Sequence, residues 1–346
     1  MTISSEQAEL IIHAGLHKTG TTSIQQVLSS NEQWLEERGY YYLRHDRSSF
    51  NQNALAWAIA TKNDSDFEIL RKKGVFPDLS FDKWIISSEA FSQFVVGKRQ
   101  FRKFDQNEYF KGRRKFLKRL SLLCEKFDKR SIFICFRRHD DFAVSHYATG
   151  LISGRFSWSF AQYLEKFRPI FDYCSQRRVF EEVFERVCIA DFDSLRDDLV
   201  GCSLDWMGIP APPRSSVRSK ATPDARVIAW LHWIRCQNLS QKEVQARSEF
   251  ARTREASALF RLDPPSSLWE SDAQRRAFLA CCTDPRQDFR WAKPTQHDRC
   301  VRFPSTEDIR RVEAGYQAWR KPRRLRRFVS VVAIRPMARR FLSLLR

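Results

Sequence analysis

Three groups of residues in this sequence carry the means for anion and proton chemistry. Lys18 lies between Gly15 and Gly20, and Thr19, Thr21, Thr22 and Ser23 crowd hydroxyls around the same turn. A glycine-broken turn exposes backbone N–H groups, so an ammonium and several hydroxyls placed there suit an oxyanion such as phosphate. A helix dipole offers an anion only about 0.3–1 kcal/mol, so lysine and amides must supply most of the grip. The second group is RRHDDFAVS, which sets the guanidinium fork of Arg137 eight residues before the hydroxyl of Ser145. Charge-assisted hydrogen bonds contribute about 1.5–3 kcal/mol each, so two of them favour a ligand with a second phosphate by roughly 100-fold. Arg138 is the alternative fork. The third is Glu89, which follows the apolar run FDKWII. A carboxylate there suits a general base taking a proton from a hydroxyl; it equally suits a cap on the turn AFSQF or a ligand for Mg²⁺. His17, beside Lys18, is placed to steady the lysine or an acceptor, with His139 and His146 in reserve. No His/Cys cluster has zinc-site spacing.

The elements that must position these groups read as alternating strands and helices. Leu10 to Ile12, continuing through His13 and Ala14, form the short apolar run of a buried parallel strand. From Ser23 the apolar residues Ile24, Val27, Leu28 and Trp34 recur at helical spacing up to Gly39. Further strands are predicted over 40–43, 81–86, 131–136 and 187–190. Helices are predicted over 53–60, 108–127, from near Arg137 onward, and over 176–184 and 192–206, the last closed by Gly208 and Pro210. Asp140 and Asp141 suit the first turn of the helix after Arg137. This alternation predicts an α/β fold, a parallel sheet flanked by helices on both faces. Open sheets of that kind bind ligands beyond the carboxyl ends of their strands, where Lys18, Glu89 and Arg137 all fall. Past a Pro/Ser/basic link at 210–220, helices are predicted over 227–236, 271–282 and 310–319. The expected organisation is one domain over 1–319, with a core at 8–210 and a helical region at 211–319, then a tail over 320–346.

The order Gly15-Leu16-His17-Lys18-Thr19-Gly20-Thr21-Thr22 is not the Walker A form, because Lys precedes the second Gly. HKTGTT after a hydrophobic strand resembles the 5′-phosphosulfate loop of sulfotransferases that use 3′-phosphoadenosine 5′-phosphosulfate (PAPS). The Arg137–Ser145 stretch resembles the 3′-phosphate motif of the same family, and the likeness covers roughly the first 210 residues. It implies a P-loop NTPase-like fold in which Lys18, Thr19, Gly20, Thr21, Thr22 and Ser23 hold the 5′ end of PAPS. Arg137 and Ser145 would then hold the 3′-phosphate, Glu89 or a histidine would act as base with His17 beside the catalytic Lys18, and no metal is required. The acceptor would be a hydroxyl, plausibly on a carbohydrate or glycolipid. A nucleoside-triphosphate kinase with Glu89 or Asp191 on Mg²⁺ is the competing enzyme, handicapped by the missing G-K-[ST]. A non-enzymatic module binding nucleotide or polyanion is the third reading.

Composition narrows the partners. Lys and Arg outnumber Asp and Glu by 60 to 41, for a net charge of +19, which favours anionic partners. Residues 320–346 hold ten of those cations and no acidic residue, so the body is less basic than the total suggests. Specific nucleic-acid recognition loses ground accordingly. The tail mixes clustered charge with apolar residues, a composition that fits an anionic membrane face as well as a solvated helix end. The N-terminus MTISSEQAEL lacks the basic and apolar regions of a signal peptide, no apolar run approaches the ~20 residues of a membrane span, and the nine Cys include no C-x-x-C pair. These features predict a cytoplasmic protein in a reducing compartment, peripheral on the membrane at most.

Overall fold

A computed structural model describes residues 8–16, 18–44, 52–76, 80–96, 105–213, 222–237, 239–282 and 303–321. Five strands form one parallel sheet: β1 (Glu9–His13), β2 (Tyr40–Tyr42), β3 (Lys83–Ser87), β4 (Lys129–Phe136) and β5 (Arg186–Asp191), in the order β2-β3-β1-β4-β5. The α/β architecture is the one the alternation predicts. β1 is central because Leu10, Ile11 and Ile12 can be buried on both faces, and they are 0 to 2% exposed. Its register sets Ile12 beside Ile86 and Ile132, and His13 beside Ser87 and Phe133. The chain runs from β1 out to β2 and β3 on one side and then to β4 and β5 on the other. The carboxyl end of β1 is therefore the switch point at which such sheets open a crevice.

Helices cover the sheet. In chain order they are α1 (Thr21–Ser30), α2 (Glu32–Glu36), α3 (Asn53–Thr61), α4 (Asp64–Lys73), α5 (Gln106–Leu123), α6 (His139–Ile152), α7 (Phe160–Lys166), α8 (Tyr173–Glu181), α9 (Phe192–Leu195) and α10 (Leu199–Trp206). Ile24, Val27 and Leu28 of α1 pack with Val200 and Leu204 of α10 over Ile11, Ile85 and Phe133. α5 packs against α3 and α8.

Two long helices expected from the periodicity are broken by single polar residues. The predicted helix from Ser23 to Gly39 stops at Asn31, whose side chain turns back to donate to Val27 O (2.7 Å). The one predicted over 192–206 is α9, a 3₁₀ turn Arg196–Asp198 and α10, restarted by Asp198 accepting from Gly201 N (3.0 Å). α4 escapes pattern reading because Phe67 is its one buried residue. Its start is marked instead by Asn63 accepting from Asp66 N (2.7 Å) and its end by Gly74 at φ 75°.

The chain divides into two compact units. The first, residues 1–146, 161–221 and 276–294, holds the sheet. The second, residues 147–160, 222–275 and 295–346, is helical among the described residues, with α11 (Ala225–Arg235), α12 (Gln241–Phe250), α13 (Arg254–Ala258) and a helix over 306–321. Its centre is aromatic: Trp230, Phe250 and Tyr316 meet ring to ring. Glu313 ties them by accepting from Trp230 Nε1 (2.9 Å) and Arg247 Nη2 (3.1 Å). α14 (Asp272–Cys281) bridges the two stretches of sequence. No described helix is long and apolar enough to cross a membrane. The tail beyond 321, and with it most of the predicted basic segment, lies outside the described residues.

Candidate anion-binding site

β1 delivers the chain to the rim, and β4 carries the loop that follows. Ala14 N donates to Phe133 O (2.8 Å) and Leu16 N to Cys135 O (3.4 Å). Lys18 then adopts φ 69°, the only positive value at a non-glycine among the described residues. Left-handed backbone at a residue with a Cβ costs about 1–2 kcal/mol and clusters at functional sites. Gly20 follows at φ 75°, and its carbonyl accepts the first α1 bonds from Ser23 N (2.8 Å) and Ile24 N (3.3 Å). A Cβ at Gly20 would lie 1.9 Å from Leu199 Cδ2, so α10 presses on the loop from behind.

The hydroxyls divide by what they touch. Thr19 Oγ1 donates to Leu16 O (2.7 Å) and braces the loop from inside. Thr21 Oγ1 is buried and has no hydrogen-bond partner, whereas Thr22 is exposed on the first turn of α1 and Ser23 is buried beneath it. His17 lies outside the described residues.

Arg137, 119 residues further along, comes to the same loop. Its Nη1 donates to Lys18 O (3.1 Å) and its guanidinium lies 5.1 Å over the Phe192 ring at the start of α9. Its Nε is buried without a hydrogen-bond partner. The backbone there is fixed by Tyr173, whose hydroxyl donates to Arg137 O (2.8 Å) and whose ring stacks between Phe136 and His139 at 4.4 and 4.0 Å. Arg138, the alternative fork, is instead paired with the fully buried Asp140 at 3.0 Å. Ser145 is buried in α6, about 9 Å along the axis from the helix start at 1.5 Å per residue. Both reserve histidines sit among aromatic rings: His139 on Tyr173, and His146 with its Nδ1 2.8 Å from Tyr163 Oη. Asp141 is close enough to feel both arginines. Burial, with Asp140 and Asp193 adding to it, outweighs them and pushes its carboxyl up to about 6.

Glu89 begins a 3₁₀ turn, Glu89–Ser92, directly after β3. Ser88 caps that turn, accepting from Ala90 N (3.1 Å), and its own hydroxyl donates to Asn53 Oδ1 (2.6 Å). Ser92 Oγ reaches Gly15 O (3.2 Å), which ties the Glu89 turn to the Gly15–Gly20 loop. From the far side the buried Arg113 holds the same segment through Phe91 O (3.0 Å) and Phe94 O (2.5 Å). Asp191, at the end of β5, caps α9 by accepting from Asp193 N (2.9 Å).

His13 is a site residue the sequence reading treats only as strand. It is 1% exposed, its Nδ1 lies 2.8 Å from Ser87 Oγ, and burial lowers it to about 4 despite the raising influence of nearby Glu89. Its signal in the sequence is small: an imidazole closing an otherwise apolar strand, two residues before the loop glycine. Among the described residues no group of three or more His, Cys, Asp or Glu is arranged to hold a metal ion.

Lys18, Glu89 and Arg137 therefore stand on segments joined by direct hydrogen bonds at the carboxyl ends of β1, β3 and β4. No family model matches the chain, and no curated protein sequence matches it. In structure it is similar to a sulfotransferase from Alicyclobacillus acidocaldarius, with a TM-score of 0.38 and 16% identity over 67% of this chain and 97% of that one. A likeness of that size carries no functional weight, so what the site can do rests on its own geometry.

Proposed function

We propose that the chain is a sulfotransferase that moves a sulfuryl group from PAPS to an acceptor hydroxyl, on a carbohydrate or glycolipid as the motif resemblance implies. The observation that supports this reading is the 3.1 Å contact from Arg137 Nη1 to Lys18 O, in which the Lys18 loop and the Arg137 segment meet. Two buried donors without partners, Thr21 Oγ1 and Arg137 Nε, stand one in each motif. Groups left so are costly unless a ligand satisfies them, and a donor phosphorylated at both ends fits them. PAPS supplies the sulfuryl group and a stable leaving nucleotide.

The chain's own residues do the rest. The Lys18 ammonium, the loop amides and the Thr21 and Thr22 hydroxyls would hold the 5′ anionic end, and Lys18 would offset the charge that gathers there as the leaving group departs. Thr19 would keep the loop in shape. Arg137, with Ser145, would hold the 3′-phosphate through a planar fork that a lysine cannot offer. Glu89, on a turn fastened to the loop by Ser92, would accept the proton that the acceptor hydroxyl releases.

Two substitutions separate the roles. Lys18→Ala should abolish PAPS-dependent transfer. Arg137→Ala should raise the KM for PAPS tenfold or more and lower kcat less, because a charge-assisted contact contributes about 1.5–3 kcal/mol. Unchanged turnover in Lys18→Ala overturns the mechanism. A chain that phosphorylates an acceptor from ATP and ignores PAPS is the kinase instead.

A further inference from the structure

Outside the residues of the candidate site, α4 and α5 border a groove of about 560 Å³. α5 buries Tyr109, Phe116, Leu117 and Leu120 and turns Lys111, Arg114, Lys115 and Lys118 toward the groove, at spacings of three and four residues that put all four on one face. At 1.5 Å per residue the row runs about 10 Å along the helix. Leu122, 39% exposed, adds apolar surface at its end. The opposite wall is the first half of α4, which contributes Asp64 and Glu68.

The charges of the groove do not cancel. Asp64 serves two cations at once, Lys115 at 2.8 Å and the buried Arg119 at 2.6 Å. Glu68 pairs with Arg71 of its own helix at 3.3 Å, and Arg114 with Glu182 of α8 at 2.6 Å. Lys111 and Lys118 are exposed and form no ion pair among the described residues; Glu182 feels Lys118 only through its field. Charge complementarity therefore calls for an anion.

Shape and chemistry narrow it further. A row of cations along a channel fits an extended chain with repeated negative charges, whereas a bilayer is met by an amphipathic face whose apolar side enters it. The ammonium groups only donate, and Asp64 and Glu68 only accept. Those carboxylates repel a polyphosphate, which brings them no donor. A chain of sugars carrying carboxylate or sulfate groups brings anions for the lysines, hydroxyl donors for the carboxylates and C–H faces for Leu122.

We propose that the groove between α4 and α5 is a docking surface for an acidic glycan, with Lys111 and Lys118 as the cations held ready for its anionic groups. It shares no residue with the Lys18 site and does not depend on the nucleotide bound there.

Calorimetric titration of the full-length chain with two hexasaccharides, one of galacturonate and one from heparin, tests the surface without any nucleotide. At least one should bind, more weakly as salt is raised, and about tenfold or more above inorganic polyphosphate of equal charge. The double change Lys111→Gln with Lys118→Gln should weaken that binding about tenfold. Lys242→Gln with Arg252→Gln removes the same charge from exposed positions of the second compact unit and should stay within about twofold of the wild type. Equal losses in the two double variants would reveal general attraction to a basic protein and overturn the groove. Failure of both hexasaccharides to bind, or equal binding of polyphosphate, overturns the glycan. So does binding to phosphatidylserine vesicles that the Lys111 and Lys118 changes abolish, since the face then belongs to a membrane. In the wild type the bound hexasaccharide should also shield Lys111 and Lys118 from acetylation, and modification at the unliganded rate contradicts the proposal.

Discussion

Lys18 holds its left-handed backbone against the steric preference of its own Cβ. Glycine has no such penalty, so Lys18→Gly should keep or raise stability, by up to about 1 kcal/mol after the entropy of the extra glycine is counted. The same change removes the ammonium, so nucleotide binding and transfer should collapse. Urea midpoints beside activity check this pairing; a variant that loses both together would show that the strain is not there. Two buried groups should also oppose each other in acid. His13 drops from 6.5 to about 4, so between those values the unfolded chain takes a proton that the folded protein refuses, and stability falls as pH falls. Asp141 rises from 3.8 to about 6, so the folded protein takes its proton first and stability rises as pH falls through that range. Asp141→Asn removes the second effect and leaves the first. Its loss of stability from pH 7 to pH 4 should exceed that of the wild type by about 2–3 kcal/mol, at 1.36 kcal/mol per pH unit; parallel unfolding curves at the two pH values contradict the assignment. Lys18, Glu89 and Arg137 are legible in the sequence because charged groups after apolar strands stand out. His13 is not, because its meaning comes from Ser87, 74 residues away across the sheet.

Single contacts also decide how the elements meet. α10 touches the loop through Leu199, where Gly20 leaves room for the methyl groups. Gly20→Ala meets both a positive φ and a 1.9 Å clash. It should cost about 2–5 kcal/mol, from left-handed strain of about 1–2 and overpacking of about 1–3. The double change Gly20→Ala with Leu199→Ala should recover the clash alone, so the two substitutions should be non-additive in thermal unfolding. Additive losses contradict a direct contact. The strands β1, β3 and β4 are readable because continuous apolar runs with few charges fit burial on both faces, whereas β5, an edge strand with no buried residue, is readable only as a short apolar run. Helix breaks at Asn31 and at Arg196–Asp198 are not, because apolar spacing continues across them while one side chain redirects the backbone. α4 is hidden for a different reason: a helix that buries only Phe67 has no stripe to read.

Across the whole molecule, alternation of strand and helix is enough to specify a parallel sheet, and it places the Gly15–Gly20 loop at the switch point of the strand order β2-β3-β1-β4-β5. The two compact units are interleaved along the chain, the second taking up 147–160, 222–275 and 295–346. The Pro/Ser/basic link at 210–220 marks one of their boundaries, but no composition shift marks those at 146–147, 160–161 and 275–276, so sequence alone does not separate them fully. A net charge of +19 draws anions of every kind, and only a site that grips two phosphates at once tells one nucleotide from another. The most direct measurement is therefore calorimetric titration of the full-length chain with 3′,5′-phosphoadenosine, in the presence of a chelator, against ATP with Mg²⁺. The doubly phosphorylated nucleotide is expected to bind tightly without metal, about 100-fold or more above ATP, as two charge-assisted contacts from Arg137 and Ser145 require. Stronger binding of ATP with Mg²⁺ would contradict the account.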